Sequence, residues 1–138
     1  MSEANKQAES GSGPIDGYRP HPRRIQRKRT KGFRLPDGVV CVTRPGPWGN
    51  PFTIQSCLEA GYAETEADAR ALCVECFEDW LLKGDLSEWW FGASRDNWQW
   101  MRDNLSTLDG KTLACFCPLD RPCHADVLAK YAEIAMPF

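Results

Sequence analysis

Four side chains that could bind a soft metal or act as nucleophile and base fall within ten residues of this 138-residue chain: Cys115, Cys117, Cys123 and His124, spaced C-x-C-x5-C-H. The segment reads as a short strand, a Pro-containing loop and the start of a helix. Alternate residues of a strand project from one face, so Cys115 and Cys117 share a side. Three thiols and an imidazole are the donor set of a Cys3His zinc site, although this spacing is not a common zinc pattern. Cys123 and His124, as neighbours at a helix start, are expected to point about 100° apart, which argues against both ligating one ion without distortion of the loop. The competing chemistry makes Cys117 or Cys123 a thiolate activated by His124 and by the helix N-terminus, giving Cys117, Cys123 and His124 catalytic roles. Asp126, in the first turn, suits the helix dipole and could orient His124, but a carboxylate opposes thiolate formation. Inert, buried thiols are the third reading. All three stay open at this level.

A second chemically useful loop is Arg44-Pro-Gly-Pro-Trp-Gly-Asn-Pro-Phe52. Three prolines and two glycines hold it in one irregular shape. Arg44 is expected to fork onto a phosphate, Trp48 to stack on a planar ring, and Asn50 to read a base edge or tie the loop to its own backbone. Cys73 and Cys76 form a C-x-x-C in the middle of a predicted helix, away from the N-terminus where redox pairs gain from the dipole, and are read as core.

Charge is divided unevenly. Arg19, Arg23, Arg24, Arg27, Lys28, Arg29, Lys31 and Arg34 carry no acid among them, whereas from Asp37 onward 16 acids face 8 bases. Such a block reaches for nucleic-acid phosphates through Arg23, Arg24, Arg27, Lys28, Arg29 and Lys31, or docks on the chain's own carboxylates. Seven cysteines, an odd number, and the lack of an apolar leader after Met1 point to a reducing cytoplasm rather than a disulfide framework. No run is apolar enough for a membrane span.

These loops need elements to hold them. Residues 39–43, β-branched and followed by the Pro-rich loop, read as a buried strand, and residues 111–116 as another. Apolar positions at spacings of three and four from Ala69 to Leu81, behind Thr65 and Asp68, predict an amphipathic helix ending at Gly84. Further helices are predicted from Ser94 to about Leu105 and over residues 123–135, the latter with Val127, Leu128, Tyr131 and Ile134 inward. Residues 25–31 hold a single aliphatic side chain and read as an arm, with the folded part starting near Phe33. The expectation is a small α/β domain over residues 23–138, a short parallel sheet flanked by helices, behind a disordered tail over residues 1–22. In such a layer, sites gather beyond the carboxyl ends of the strands.

Residues 24–36, the Arg44 to Phe52 loop and the Leu113 to Leu128 segment together resemble an uncharacterised bacterial and bacteriophage domain family. Its members open with a basic R-I-Q-R-[KR]-R block, carry R-P-x-x-W-G-N-P-F, and close with C-[WF]-C-x-P and C-H-x-x-[VL]-L. The resemblance covers about residues 24–135 and marks Arg44, Trp48, Gly49, Asn50, Cys115, Cys117, Cys123 and His124 as signature positions, with Phe116 in place of the frequent Trp. It implies that the basic block belongs to the domain, and its phage context implies nucleotide or nucleic-acid metabolism. The leading expectation is a protein that binds or acts on a nucleotide, nucleoside or nucleobase, with Arg44, Trp48, Gly49 and Asn50 holding it. The alternatives are a non-catalytic zinc-stabilised nucleic-acid-binding module and a phage-type interaction factor with structural cysteines that meets a protein partner through a surface rich in the chain's six tryptophans. Whether it is an enzyme is left open by the spacing.

Overall fold

Helix boundaries follow side-chain chemistry at their ends. The computed structural model describes residues 18–89 and 95–134. In chain order the elements are β1 (Arg24–Gln26), β2 (Val40–Cys41), α1 (Ile54–Glu59), α2 (Glu66–Lys83), α3 (Arg95–Asn104), β3 (Leu113–Cys115) and α4 (His124–Glu133). Thr65 caps α2 by accepting a hydrogen bond from the Asp68 N–H, and Thr53 caps α1 in the same way from Ser56. At its other end α2 stops at Gly84, whose φ of 59° lies in the left-handed region. A Cβ there would sit 2.6 Å from the Trp98 ring.

The three strands form one parallel sheet in the order β1-β3-β2, with Ile25 and Val40 aligned to Ala114 and Leu113. Parallel pairing directs the carboxyl ends of β2 and β3 the same way, so the two loops of interest leave from one edge. Behind that edge lies the core, built from Val42, Phe77, Trp80, Leu81, Met101, Leu105, Leu113 and Leu128. The architecture is the small α/β layer expected.

Three expectations need correction. The fold begins before Phe33, because β1 pairs with β3 along Arg24–Gln26. Hydrophobicity could not reveal this strand, since its buried residue is Arg24, 4% exposed, whose two terminal nitrogens bond to groups far along the chain. Of the expected tail over residues 1–22, the part up to residue 17 lies outside the described residues. Within the rest, Tyr18 and His21 are docked on Asp126. Ile134, expected inward, is the C-cap of α4 and 58% exposed, because the helix turns its last apolar position past the core. The helix α1 was not anticipated either, being one and a half turns long with Cys57 as its only buried residue. No helix among the described residues is long and apolar enough to cross a membrane.

Candidate functional site: a thiol and imidazole cluster beneath three arginines

Cys115 ends β3, and Cys117 follows in the loop with its Sγ 3.8 Å from that of Cys115. Cys123 is the N-cap of α4, in extended conformation at φ −150° and ψ 151°. His124 opens the helix. Because Cys123 stands outside the helix, the 100° divergence expected of two helical neighbours does not apply, and its Sγ lies 3.6 Å from His124 Nδ1. The ligand atoms of Cys115, Cys123 and His124 all lie within 4.8 Å of one another, close enough to share one ion.

Two contacts fix this arrangement. His124 Nε2 is 2.8 Å from the Val42 carbonyl oxygen at the end of β2. A carbonyl only accepts, so Nε2 carries the proton and Nδ1 presents its lone pair to the thiols. Burial pushes the His124 pKa down and keeps the ring neutral. On the other side, Asp126 accepts the Cys123 backbone N–H and completes a capping box. Asp126 in turn pairs with Arg24 at 3.0 Å, and the same guanidinium donates to the carbonyls of Cys117, Pro118 and Arg121. One buried cation on β1 therefore clamps the whole loop between β3 and α4.

Hydrogen bonds from the Cys117 and Cys123 thiols hold the Cys115 thiol well below its ordinary range. The Cys123 and Cys117 thiols are pushed up, first by sharing their protons with Cys115.

The cluster forms the floor of a cleft of about 310 Å³ whose walls carry Arg29, Arg44 and Arg70 with Asn50 and Phe52. Arg70 reaches from α2 and places Nη1 3.2 Å from Cys117 Sγ. Arg29 lies 3.7 Å over the Phe116 ring. Arg44 donates to the Asn50 carbonyl at 2.7 Å, across a backbone so close that a Cβ on Gly49 would meet the Arg44 Cγ at 2.7 Å. Gly49 is therefore a packing requirement of the loop.

The remaining expected site residues fall in different places. Asn50 is buried, with its amide donating to the Cys73 carbonyl and accepting from the Phe52 N–H, so it pins the loop to α2 while lining the cleft. Trp48 is buried on the far side of the loop, edge-on to Trp100 at 4.8 Å, and does not line the cleft. Of the six tryptophans, Trp90 lies outside the described residues.

The basic block is divided. Arg23 pairs with Glu133 and Asp109, Arg24 is spent inside, and Arg27 donates to Cys41 and Thr43. Lys28, Arg29, Lys31 and Arg34 stay exposed. Sequence reasoning missed Arg70, whose i,i+4 pairing with Glu66 gives it the signature of an ordinary solvent-facing helix residue.

The fold and cluster define a class: a three-stranded parallel α/β domain with a Cys/His group beyond the carboxyl ends of its strands. Residues 25–134 match the model of the family described as a domain of unknown function, DUF4326, and the chain belongs to that family. No curated protein and no solved structure matches the chain.

Proposed function

We propose that the cleft binds the phosphate-bearing end of a nucleotide. One observation carries this reading: three guanidinium groups and no carboxylate line a cleft large enough for a phosphorylated sugar. Guanidinium forks match phosphate oxygens, and their field is concentrated where low-dielectric walls surround them. Phe52 gives the cleft an aromatic face for the planar group, and the buried Asn50, tied to the Cys73 carbonyl and the Phe52 N–H, fixes that part of the wall. Trp48, buried against Trp100, has no part in the proposal.

Cys123 and His124 suit holding roles better than acid and base roles. Cys123 is buried with its thiol pushed up, and His124 is neutral with Nε2 committed to a carbonyl. Cys117, half-buried, is the thiol that a bound ligand meets first.

Calorimetric titration of the full chain with a nucleoside 5′-monophosphate and with its parent nucleoside tests the reading. The monophosphate is expected to bind about tenfold or more tightly than the nucleoside, and Arg29→Ala or Arg70→Ala to remove most of that advantage. Equal affinities, or no binding of either, would refute it.

A second reading, a surface for an extended nucleic acid, is favoured by an adjoining cleft. It is lined by Gln26, Arg27, Lys28 and Pro118, and shares Arg29, Arg70, Phe116 and Cys117 with the first. It requires affinity that rises with oligonucleotide length and falls steeply with salt, whereas a mononucleotide site does neither beyond its own few charges.

A further inference from the structure

We infer that Cys115, Cys117, Cys123 and His124 hold one zinc ion as a Cys3His centre. This inference stands apart from the phosphate reading and needs none of the arginines.

The distances carry it. Zinc takes thiolate sulfur at about 2.3 Å and imidazole nitrogen at about 2.0–2.1 Å, so a tetrahedron around it has sulfur–sulfur edges of about 3.8 Å and sulfur–nitrogen edges of about 3.6 Å. The chain places Cys115 Sγ and Cys117 Sγ 3.8 Å apart, and Cys123 Sγ and His124 Nδ1 3.6 Å apart. The two pairs are brought together by separate elements, since the first belongs to the β3 edge and the second to the cap of α4. Cys115 of the first pair lies within 4.8 Å of both members of the second, and Cys117 joins through Cys115, so the cluster is a tertiary arrangement rather than a consequence of local geometry.

The surroundings are those of ligands. The Val42 carbonyl accepts a hydrogen bond from Nε2–H, which leaves Nδ1 as a lone-pair donor beside the Cys123 thiol and fixes the ring about that direction. Asp126 holds the Cys123 backbone, and Arg24 holds the carbonyls of the loop that carries Cys117. Three thiolates and a neutral imidazole leave a zinc centre with one net negative charge, and Arg70 stands 3.2 Å from Cys117 Sγ to meet it. Soft sulfur with imidazole selects zinc over the hard divalent cations.

The test is elemental analysis of the full chain purified under reducing conditions without chelator. About one zinc per chain is expected, with Cys115→Ser and Cys123→Ser each falling to less than a tenth of that and Cys57→Ser, in another part of the core, keeping it. Zinc absent from the wild-type chain, or retained by both Cys115→Ser and Cys123→Ser, would overturn the proposal, as would iron in its place. If the two variants do not fold, cobalt substitution of the wild-type chain decides: intense thiolate charge-transfer and tetrahedral ligand-field bands support the centre, and a weak octahedral spectrum overturns it. Arg70→Ala is expected to keep its zinc while losing nucleotide affinity, so the two proposals fail separately.

Discussion

Two groups of three cysteines sit in this molecule, and their surroundings make them different chemistry. Cys57, Cys73 and Cys76 lie between α1 and α2, beside an apolar cleft lined by Phe52, Leu72, Tyr62 and Trp89. Cys115, Cys117 and Cys123 lie at the carboxyl edge of the sheet with His124 among them and Arg70 above. Burial pushes the Cys73 thiol up to about 11 and the Cys76 thiol up to about 12, with neighbouring thiols adding to the effect. At the sheet edge, hydrogen bonds from the other two thiols instead hold Cys115 down. A cysteine count says little about reactivity. What differs is the presence of an oriented imidazole and of a polar framework that holds the sulfurs' backbone in place.

That contrast can be broken most sharply at His124. His124→Ala removes both the nitrogen donor and the link to Val42, and zinc affinity measured by chelator competition should fall by more than about 100-fold, beyond the loss usual for a supporting partner. The corresponding change in the other group, Cys73→Ala, should leave zinc affinity unchanged.

Next in size is Asp126→Ala, which strips Arg24 of its carboxylate while the guanidinium stays buried. Breaking a buried pair from one side costs about 3–5 kcal/mol, and urea unfolding should show a loss toward the lower end because three carbonyls still hold Arg24. The same variant should also loosen zinc, since Asp126 fixes the Cys123 backbone.

The α1–α2 group has its own signature in alkali. Cys73 and Cys76 keep their protons in the folded chain to about 11 and about 12, whereas an unfolded thiol loses its proton near pH 8.5. In that interval the folded state binds more protons than the unfolded one. The stability they contribute is present below the unfolded value and declines as pH rises from there through the folded values. Thermal melts across this range should show that decline, and a Cys73→Ala/Cys76→Ala variant should show a shallower one.

The smallest effect is expected at Cys57→Ala. A buried thiol within a short helix is replaced by a slightly smaller side chain, so stability should change by about 1 kcal/mol in urea unfolding, with zinc content unaltered.

Much of this site was legible in the sequence, and the failures have physical reasons. The C-x-C spacing brought Cys115 and Cys117 together, although the strand ends at Cys115 and Cys117 is carried by the loop, and the Thr65 cap and the spacing from Ala69 to Leu81 gave the helix that carries Arg70. The parallel sheet put the Arg44 loop and the thiol loop at one edge. Hidden from periodicity was β1, because its inward residue is a cation whose partners lie about a hundred residues away. The angle between Cys123 and His124 was misjudged because an N-cap residue has extended rather than helical dihedrals. Trp48 illustrates a third kind of miss: a loop's composition tells that it is stiff, but not toward which side its aromatic turns.

X-ray absorption at the zinc edge of the wild-type chain tests the difference between the two cysteine groups most directly. One zinc per chain surrounded by three sulfurs at about 2.3 Å and one imidazole nitrogen at about 2.0–2.1 Å is the expected shell. A shell dominated by oxygen, four sulfurs with no imidazole, or no bound zinc would contradict the assignment of the sheet-edge cluster as a Cys3His centre.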